Sequence, residues 1–163
     1  MVGIFVVVLH LISVFMLVSG SVGRNLLWMH MRRSTDLASV HKLLEVAENF
    51  EKRLVRPGSG LVLLTGLIAA WLRGWPILGG LQGRGPHWVL AAIGLYLTFI
   101  PLVTLLFIPK MKVRERALAG ALEKGEITPE LTAAIHDRAL YLGRGYEMAT
   151  IVVFTWLMVA KPF

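Results

Sequence analysis

Residues 2–23 read VGIFVVVLHLISVFMLVSGSVG and contain no Asp, Glu, Lys or Arg. As an α-helix, these 22 residues are long enough to cross about 30 Å of hydrocarbon. A second charge-free run of the same length occupies residues 87–108, and shorter runs lie at 57–72 and 148–160. Four apolar runs of this kind predict a polytopic membrane protein rather than a water-soluble domain.

The composition supports this assignment. Of 163 residues, 56% are hydrophobic and only 17% are charged, whereas soluble domains are about 25% charged. We therefore predict an all-α fold, a four-transmembrane-helix bundle with cytoplasmic amphipathic extensions, in a single membrane domain over residues 1–163. The predicted spans are about 2–23, 57–73, 87–108 and 143–161. The absence of cysteine excludes disulfides and thiolate metal sites.

The basic residues alternate between loops, and this predicts the orientation in the membrane. Residues 24–56 and 110–144 each contain seven Lys and Arg, whereas residues 73–86 contain two and the C-terminal end has Lys161. Cationic loops stay on the cytoplasmic side, so both termini are expected outside and the two basic segments in the cytoplasm. Orientation and contact with anionic lipids explain the net charge of +7. The expected partner is the lipid bilayer, and no nucleic acid is expected.

Short signals mark the helix ends between the spans. Ser34, Thr35 and Asp36 are N-cap candidates for an amphipathic helix that continues to about residue 54. Gly125 is placed to end a second basic helix, and Thr128-Pro129 is placed to begin another. Arg56-Pro57 predicts a kink or the start of span two, while Pro109 is expected to close span three.

His10 is the titratable side chain that lies deepest in a predicted span, eight residues or about 12 Å from its outer end. A polar group at that depth is a functional candidate because leaving it unpaired in hydrocarbon is costly. Its imidazole could ligate haem iron, bind copper or relay protons. The alternative is a neutral histidine that bonds Ser13 or another helix, and the sequence leaves both interpretations open.

A haem group needs a second ligand or a clamp for its propionates. Met158 is expected at a depth similar to that of His10 on span four, and His–Met ligation is chemically reasonable. Methionine also fills gaps in ordinary cores, and the chain has seven. The predicted cofactor is haem b or copper, with His10 as the metal ligand.

Four charged residues are expected at the inner ends of the spans. Arg144 and Glu147 lie one helical turn apart and are spaced to pair, and Arg24 and Arg56 are predicted to reach the same level. One interpretation is a set of charged caps for the bundle. The other is a clamp for an anionic headgroup, a haem propionate or a substrate carboxylate, for which the planar guanidinium is suited.

Several short motifs resemble a known membrane family. They are Leu9-His10 and Gly20 in span one, residues 57–66 at the start of span two, Pro109 after span three, and the terminal residues 158–162. In these features the chain resembles the uncharacterised bacterial integral membrane family called domain of unknown function 2269. The resemblance covers essentially the whole chain and implies four helices in a bacterial inner membrane.

More distantly, a histidine in the first span followed by glycine and arginine resembles two other groups. One is the four-helix bacterial membrane protoporphyrinogen oxidase, which is associated with haem b, and the other is the copper-resistance D-type membrane protein. The positions that correspond are His10 and Arg24. The resemblance implies a haem or metal group held near these two residues.

Three hypotheses for the function follow. The first is membrane redox chemistry with a haem or metal group at His10. The second is a non-catalytic accessory subunit of a larger membrane complex, or a homo-oligomer, that packs through an apolar groove at Gly58, Gly60 and Gly66. The third is transport of a proton or small solute, with Pro101 as a hinge.

Overall fold

A computed structural model describes residues 2–75 and 86–161, and all regular secondary structure in this part of the chain is helical. The predicted irregular loop at 74–86 lies mostly outside the described residues. The elements are α1 (Val2–Met31), α2 (Leu37–Phe50), α3 (Arg56–Leu72), α4 (His87–Leu97), the single turn α5 (Phe99–Pro101), α6 (Ile108–Lys124), α7 (Pro129–Ile135) and α8 (Arg138–Ala160), with two π-helical turns, π1 (Glu51–Val55) and π2 (Leu102–Phe107). The predicted all-α fold is confirmed.

Three helical stretches of the described chain are long and apolar enough to cross a membrane, namely Val2–Met31, Leu37–Leu72 and His87–Lys124. Large apolar side chains are exposed along them, as with Phe15 and Leu105. A soluble bundle would bury such side chains, whereas lipid contact leaves them on the outside.

The fourth long helix, α8, has 23 residues and is not one of these three. Its first half contains Arg138, Arg144 and Glu147, which lower its hydrophobicity. The predicted fourth span therefore stays a prediction.

Both prolines predicted to interrupt helices lie inside continuous ones. Each follows a π-helical turn, Pro57 after π1 and Pro109 after π2. A proline in a helix has no N–H, and its ring collides with the carbonyl four residues earlier. In both turns the helix shifts to hydrogen bonds five residues apart, from Arg56 N–H to the Glu51 carbonyl and from Ile108 N–H to that of Val103. The helix accommodates each proline in this way and continues past Pro109 into α6. The predicted end of span three at Pro109 stays a prediction.

Helix α1 packs closely on α3 through small residues. A Cβ placed on Gly58 would lie 2.8 Å from the backbone nitrogen of Leu17, and one on Gly66 would lie 3.2 Å from the His10 ring. Gly60, in contrast, has no neighbour within 4 Å at this position. Gly58 and Gly66 are thus used for contacts within the chain.

The buried core lies at the end of the bundle that carries the basic segments. It contains Trp28 and Met31 from α1, residues from α2, α6 and α7, and Leu140 from α8. Two predicted caps end helices that contribute to this core. Asp36 accepts a hydrogen bond from Ser39 N–H at 2.8 Å at the start of α2, and Gly125 adopts a left-handed conformation at the end of α6. These short helices and α1 therefore form one packed unit.

Asp137 joins α6 to the start of α8. Its carboxylate accepts hydrogen bonds from Ala139 and Leu140 N–H at 2.8 and 3.1 Å, which caps α8, and from Lys110 Nζ at 2.6 Å. The bond from Lys110 is the main cause that holds the pKa of Asp137 below its ordinary value of 3.8. An ion pair thus connects the α7–α8 turn to the first turn of α6.

Candidate functional site: a buried arginine–glutamate cluster beside a cavity

The C-terminal half of α1 presents a polar stripe to the bundle. Ser21, Arg24 and Trp28 follow one another at steps of three and four residues, so they lie on one face. All three are buried, with exposed fractions of 0%, 8% and 5%. A buried arginine needs partners of opposite charge, because an isolated charge in a low-dielectric interior is very costly.

Two carboxylates supply these partners. The Arg24 guanidinium donates through Nη1 to Glu51 in π1 and through Nη2 to Glu147 in α8. Ser21 Oγ donates to the other Glu147 oxygen at 2.9 Å, and Arg56 Nε donates to the other Glu51 oxygen at 3.3 Å. Arg24 therefore connects α1, π1 and α8, and the proline-induced turn π1 provides one of its two partners.

Arg144 does not pair with Glu147, although the sequence spacing allows it. Its hydrogen-bond partner among the described residues is the Asn25 side chain at 3.4 Å, which is long for a hydrogen bond, and its Nε is buried without a partner. The guanidinium instead lies 4.0 Å from the centre of the Trp28 ring. Arg114 from α6 approaches the same ring at 5.2 Å. Both distances are in the range of cation–π attraction.

A cavity of about 540 Å³ opens beside this cluster. Helices α1 to α6 and α8 and both π turns contribute to its wall, which is mainly apolar. The polar part of the wall contains the charged side chains of the cluster, namely Arg24, Arg56, Arg114, Arg144, Glu51 and Glu147. The size lies within the range of 300–1,000 Å³ that is typical of small-molecule sites.

His10 lies apart from this cavity, in the N-terminal third of α1. Its Nδ1 and Thr65 Oγ1 of α3 are 2.9 Å apart and form a hydrogen bond. Met158 is half-buried in α8, and among the described residues it is not a hydrogen-bond partner of His10. The prediction that His10 and Met158 hold a haem or copper stays a prediction.

Within residues 2–75 and 86–161, no three His, Asp or Glu side chains come together as a metal site would require. The structure instead brings together Arg24, Arg56, Arg144 and Glu147, four residues selected from the sequence. Sequence reasoning missed Glu51 and Arg114. Glu51 could have been recognised from the sequence. It lies five residues before Arg56, and a π turn before a proline brings residues five apart onto the same side of the helix.

Comparison with known proteins gives one match. A family model described as "Predicted integral membrane protein (DUF2269)" matches residues 4–162. No curated protein and no solved structure matches the chain.

Proposed function

The chain belongs to the DUF2269 family of predicted integral membrane proteins, and we propose that it binds an anionic amphiphile in the cavity beside the buried arginine–glutamate cluster around Arg24. Such a ligand has an apolar body and an acidic head. The observation that carries this proposal is a cavity with mainly apolar walls next to Arg144, whose guanidinium has no carboxylate partner among the described residues. The walls suit the apolar body, and the guanidinium suits the head.

The proposed arrangement in the membrane agrees with this ligand. We propose that α8 is the fourth span of a bacterial inner-membrane protein with both termini outside and both basic segments in the cytoplasm. Seven basic residues in each of two segments, against two and one elsewhere, support this orientation. The arginine cluster then lies at the cytoplasmic membrane edge, where the headgroups of lipids and other amphiphiles lie.

The experiment uses three probes with alkyl chains of nearly equal length and different heads. The protein is purified in dodecyl maltoside and exposed to dodecyl phosphate, laurate or dodecyltrimethylammonium, and native mass spectrometry counts the retained probe. We expect one anionic probe per chain and at least tenfold weaker retention of the cation. Equal retention of the cation would refute the proposal.

A matched pair of variants assigns the binding to Arg144. A hydrogen bond to a charged group contributes about 1.5–3 kcal/mol, or about ten- to a hundredfold in affinity. Arg144→Gln should therefore lose at least tenfold in retention of the anions. Arg138→Gln removes an exposed arginine of the same helix and should change retention little. Equal losses in the two variants would show that the cluster is not the site.

A second candidate is redox chemistry with haem or copper at His10. The hydrogen bond to Thr65 supports it, because a partner on one ring nitrogen orients the imidazole and leaves Nε2 for a metal. A reduced-minus-oxidised visible spectrum with metal analysis tests it. A haem band that disappears in His10→Ala would favour this candidate, and a colourless, metal-free protein would refute it.

The accessory and transport hypotheses gain less from the geometry. Gly58 and Gly66 contact α1 and so do not form the open groove that the accessory hypothesis needs. Transport is supported by the two π turns in the cavity wall, since π turns are frequent at functional sites. Both hypotheses are compatible with a bound amphiphile, which would be a structural ligand in one case and cargo in the other.

A further inference from the structure

Resting on the proposed function, we infer that the head of the ligand is a phosphate monoester, which carries up to two negative charges. A carboxylate or a phosphodiester carries one. The distinction follows from how the charges around the cavity compensate one another.

Most of the charged side chains in the cavity wall have a partner. Arg24 and Arg56 together neutralise Glu51 and Glu147, and Lys52 pairs with Glu48 at 3.0 Å. Three cations thus balance three carboxylates.

Two cations in the wall are left over. Arg114 and Arg144 have no ion pair with any carboxylate among residues 2–75 and 86–161. Arg114 is only 6% exposed, and the Nε of Arg144 is buried without a partner. The described cavity wall therefore has a surplus of two positive charges.

The two surplus charges contact the same aromatic ring. Both guanidinium groups lie against the Trp28 ring, at 5.2 and 4.0 Å from its centre, so their carbons are no more than about 9 Å apart. One head with several acceptor oxygens can serve both groups, since charge-assisted hydrogen bonds are about 2.7–2.9 Å long. Trp28 is thus the side chain that both cations contact.

A phosphate monoester fits this pair in charge and in hydrogen-bonding capacity. It carries about −1.5 to −2 charges at pH 7 and offers three acceptor oxygens. A single negative charge would leave one buried guanidinium uncompensated, and such a buried charge is unfavourable. The pair is therefore expected to prefer the dianion.

The test compares four probes at two pH values by native mass spectrometry. Dodecyl phosphate should bind at least tenfold more tightly than dodecyl sulfate or laurate at pH 8. Because the second phosphate pKa is about 6, the preference over dodecyl sulfate, which is a monoanion at both pH values, should shrink severalfold at pH 5. Inorganic phosphate, which lacks the apolar body, should bind at least tenfold more weakly than dodecyl phosphate.

The outcomes separate this inference from the proposed function. If dodecyl sulfate and laurate bind as tightly as dodecyl phosphate at pH 8, the inference is wrong and the amphiphile site stands. If none of the three alkyl probes binds, the proposed function fails. If inorganic phosphate binds as tightly as dodecyl phosphate, the ligand is a free phosphate and both statements are overturned.

Variants of α6 locate the second charge. Arg114→Gln should reduce the preference for dodecyl phosphate over dodecyl sulfate at least fivefold, whereas Arg116→Gln, at an exposed position of the same helix, should keep it. Arg114→Lys retains the charge and should keep most of the preference, which gives a readout if the glutamine variant does not fold. An unchanged preference in folded Arg114→Gln would refute the inference.

Discussion

The contact between α1 and α3 can be tested with two glycines on one helix. Gly58 and Gly60 lie two residues apart in α3, and only Gly58 faces α1. In Gly58→Ala, the new methyl group would lie 2.8 Å from the nitrogen and 3.1 Å from the Cα of Leu17. Both atoms belong to a helix backbone, so the methyl group fits only if the two helices separate by several tenths of an ångström.

The expected magnitude is a difference between the two variants. Alanine is favoured over glycine in a helix by about 0.8–1.0 kcal/mol, and this gain is common to both substitutions. Overpacking of a close contact costs about 1–3 kcal/mol and applies to Gly58→Ala alone. We therefore expect Gly58→Ala to have an unfolding free energy about 1–3 kcal/mol lower than that of Gly60→Ala.

Unfolding in mixed micelles measures this difference. The purified variants in dodecyl maltoside are titrated with sodium dodecyl sulfate, and circular dichroism follows the helix content. Gly60→Ala should be as stable as the wild type or slightly more stable, which shows that extra helix propensity is harmless at this site. If Gly58→Ala unfolds at the same sodium dodecyl sulfate fraction as Gly60→Ala, the close approach of α1 and α3 is wrong.

Three further predictions concern thermal unfolding in dodecyl maltoside alone, followed by circular dichroism, because sodium dodecyl sulfate is itself an anionic amphiphile that would occupy the proposed site. Breaking a buried ion pair costs about 3–5 kcal/mol, and Glu147→Gln should lie near 3 kcal/mol because Arg24 keeps its second partner; a loss below about 1 kcal/mol would contradict the burial of this pair. Because the pKa of Asp137 is lowered in the folded state, chiefly by Lys110, the stabilisation is present above the ordinary pKa of 3.8 and is lost as the pH falls from there through the lower pKa of the folded state. Asp137→Asn should therefore remove part of the stability at pH 6 and flatten its decline below about pH 4, and an unchanged slope would refute the charge coupling. Arg144→Gln in ligand-free protein should change the unfolding free energy by less than about 1 kcal/mol or raise it, and a loss as large as that of Glu147→Gln would show that Arg144 is structural.

The sequence predicts the helices well because their signals are local. Charge-free runs of 22 residues indicate where α1 and span three lie, and side-chain caps such as Asp36 and Thr128 form as their residue types indicate. These features depend on residues within one or two helical turns. No knowledge of the tertiary structure is needed for them.

The continuity of the helices at Pro57 and Pro109 was not predictable from the same local rules. A proline ends a helix or shifts it into a π turn, and the packing of the flanking segments decides between the two outcomes. Here α1 packs on both sides of π1, which holds α2 and α3 in line. At Pro109 the helix likewise continues from π2 into α6, and there it is α8 that contacts π2. The predicted end of the membrane span at Pro109 stays a prediction.

The pairing within the site lay beyond the sequence for a related reason. Spacing indicates which residues share a helix face, and on that basis Arg144 and Glu147 could pair. Whether Glu147 pairs with Arg24 or with Arg144 depends on how α8 is rotated relative to α1, which is a property of the packed bundle. His10 illustrates the same limit, since its partner Thr65 is 55 residues away in sequence.

The arginines of this cluster differ in a way that stability alone does not explain. Arg24 is buried with two carboxylates, and its removal would leave Glu147 without an ion pair among the described residues, so it stabilises the bundle. Arg144 is held beside Trp28 without a carboxylate among the described residues, where a neutral side chain would avoid the cost of desolvating a charge. A chain selected only for stability has no reason to retain a cation there, and strained or uncompensated groups are typical of functional sites. If the proposed function is right, an anion that enters the cavity supplies the missing charge, and the imbalance in the ligand-free protein is then the source of the binding energy.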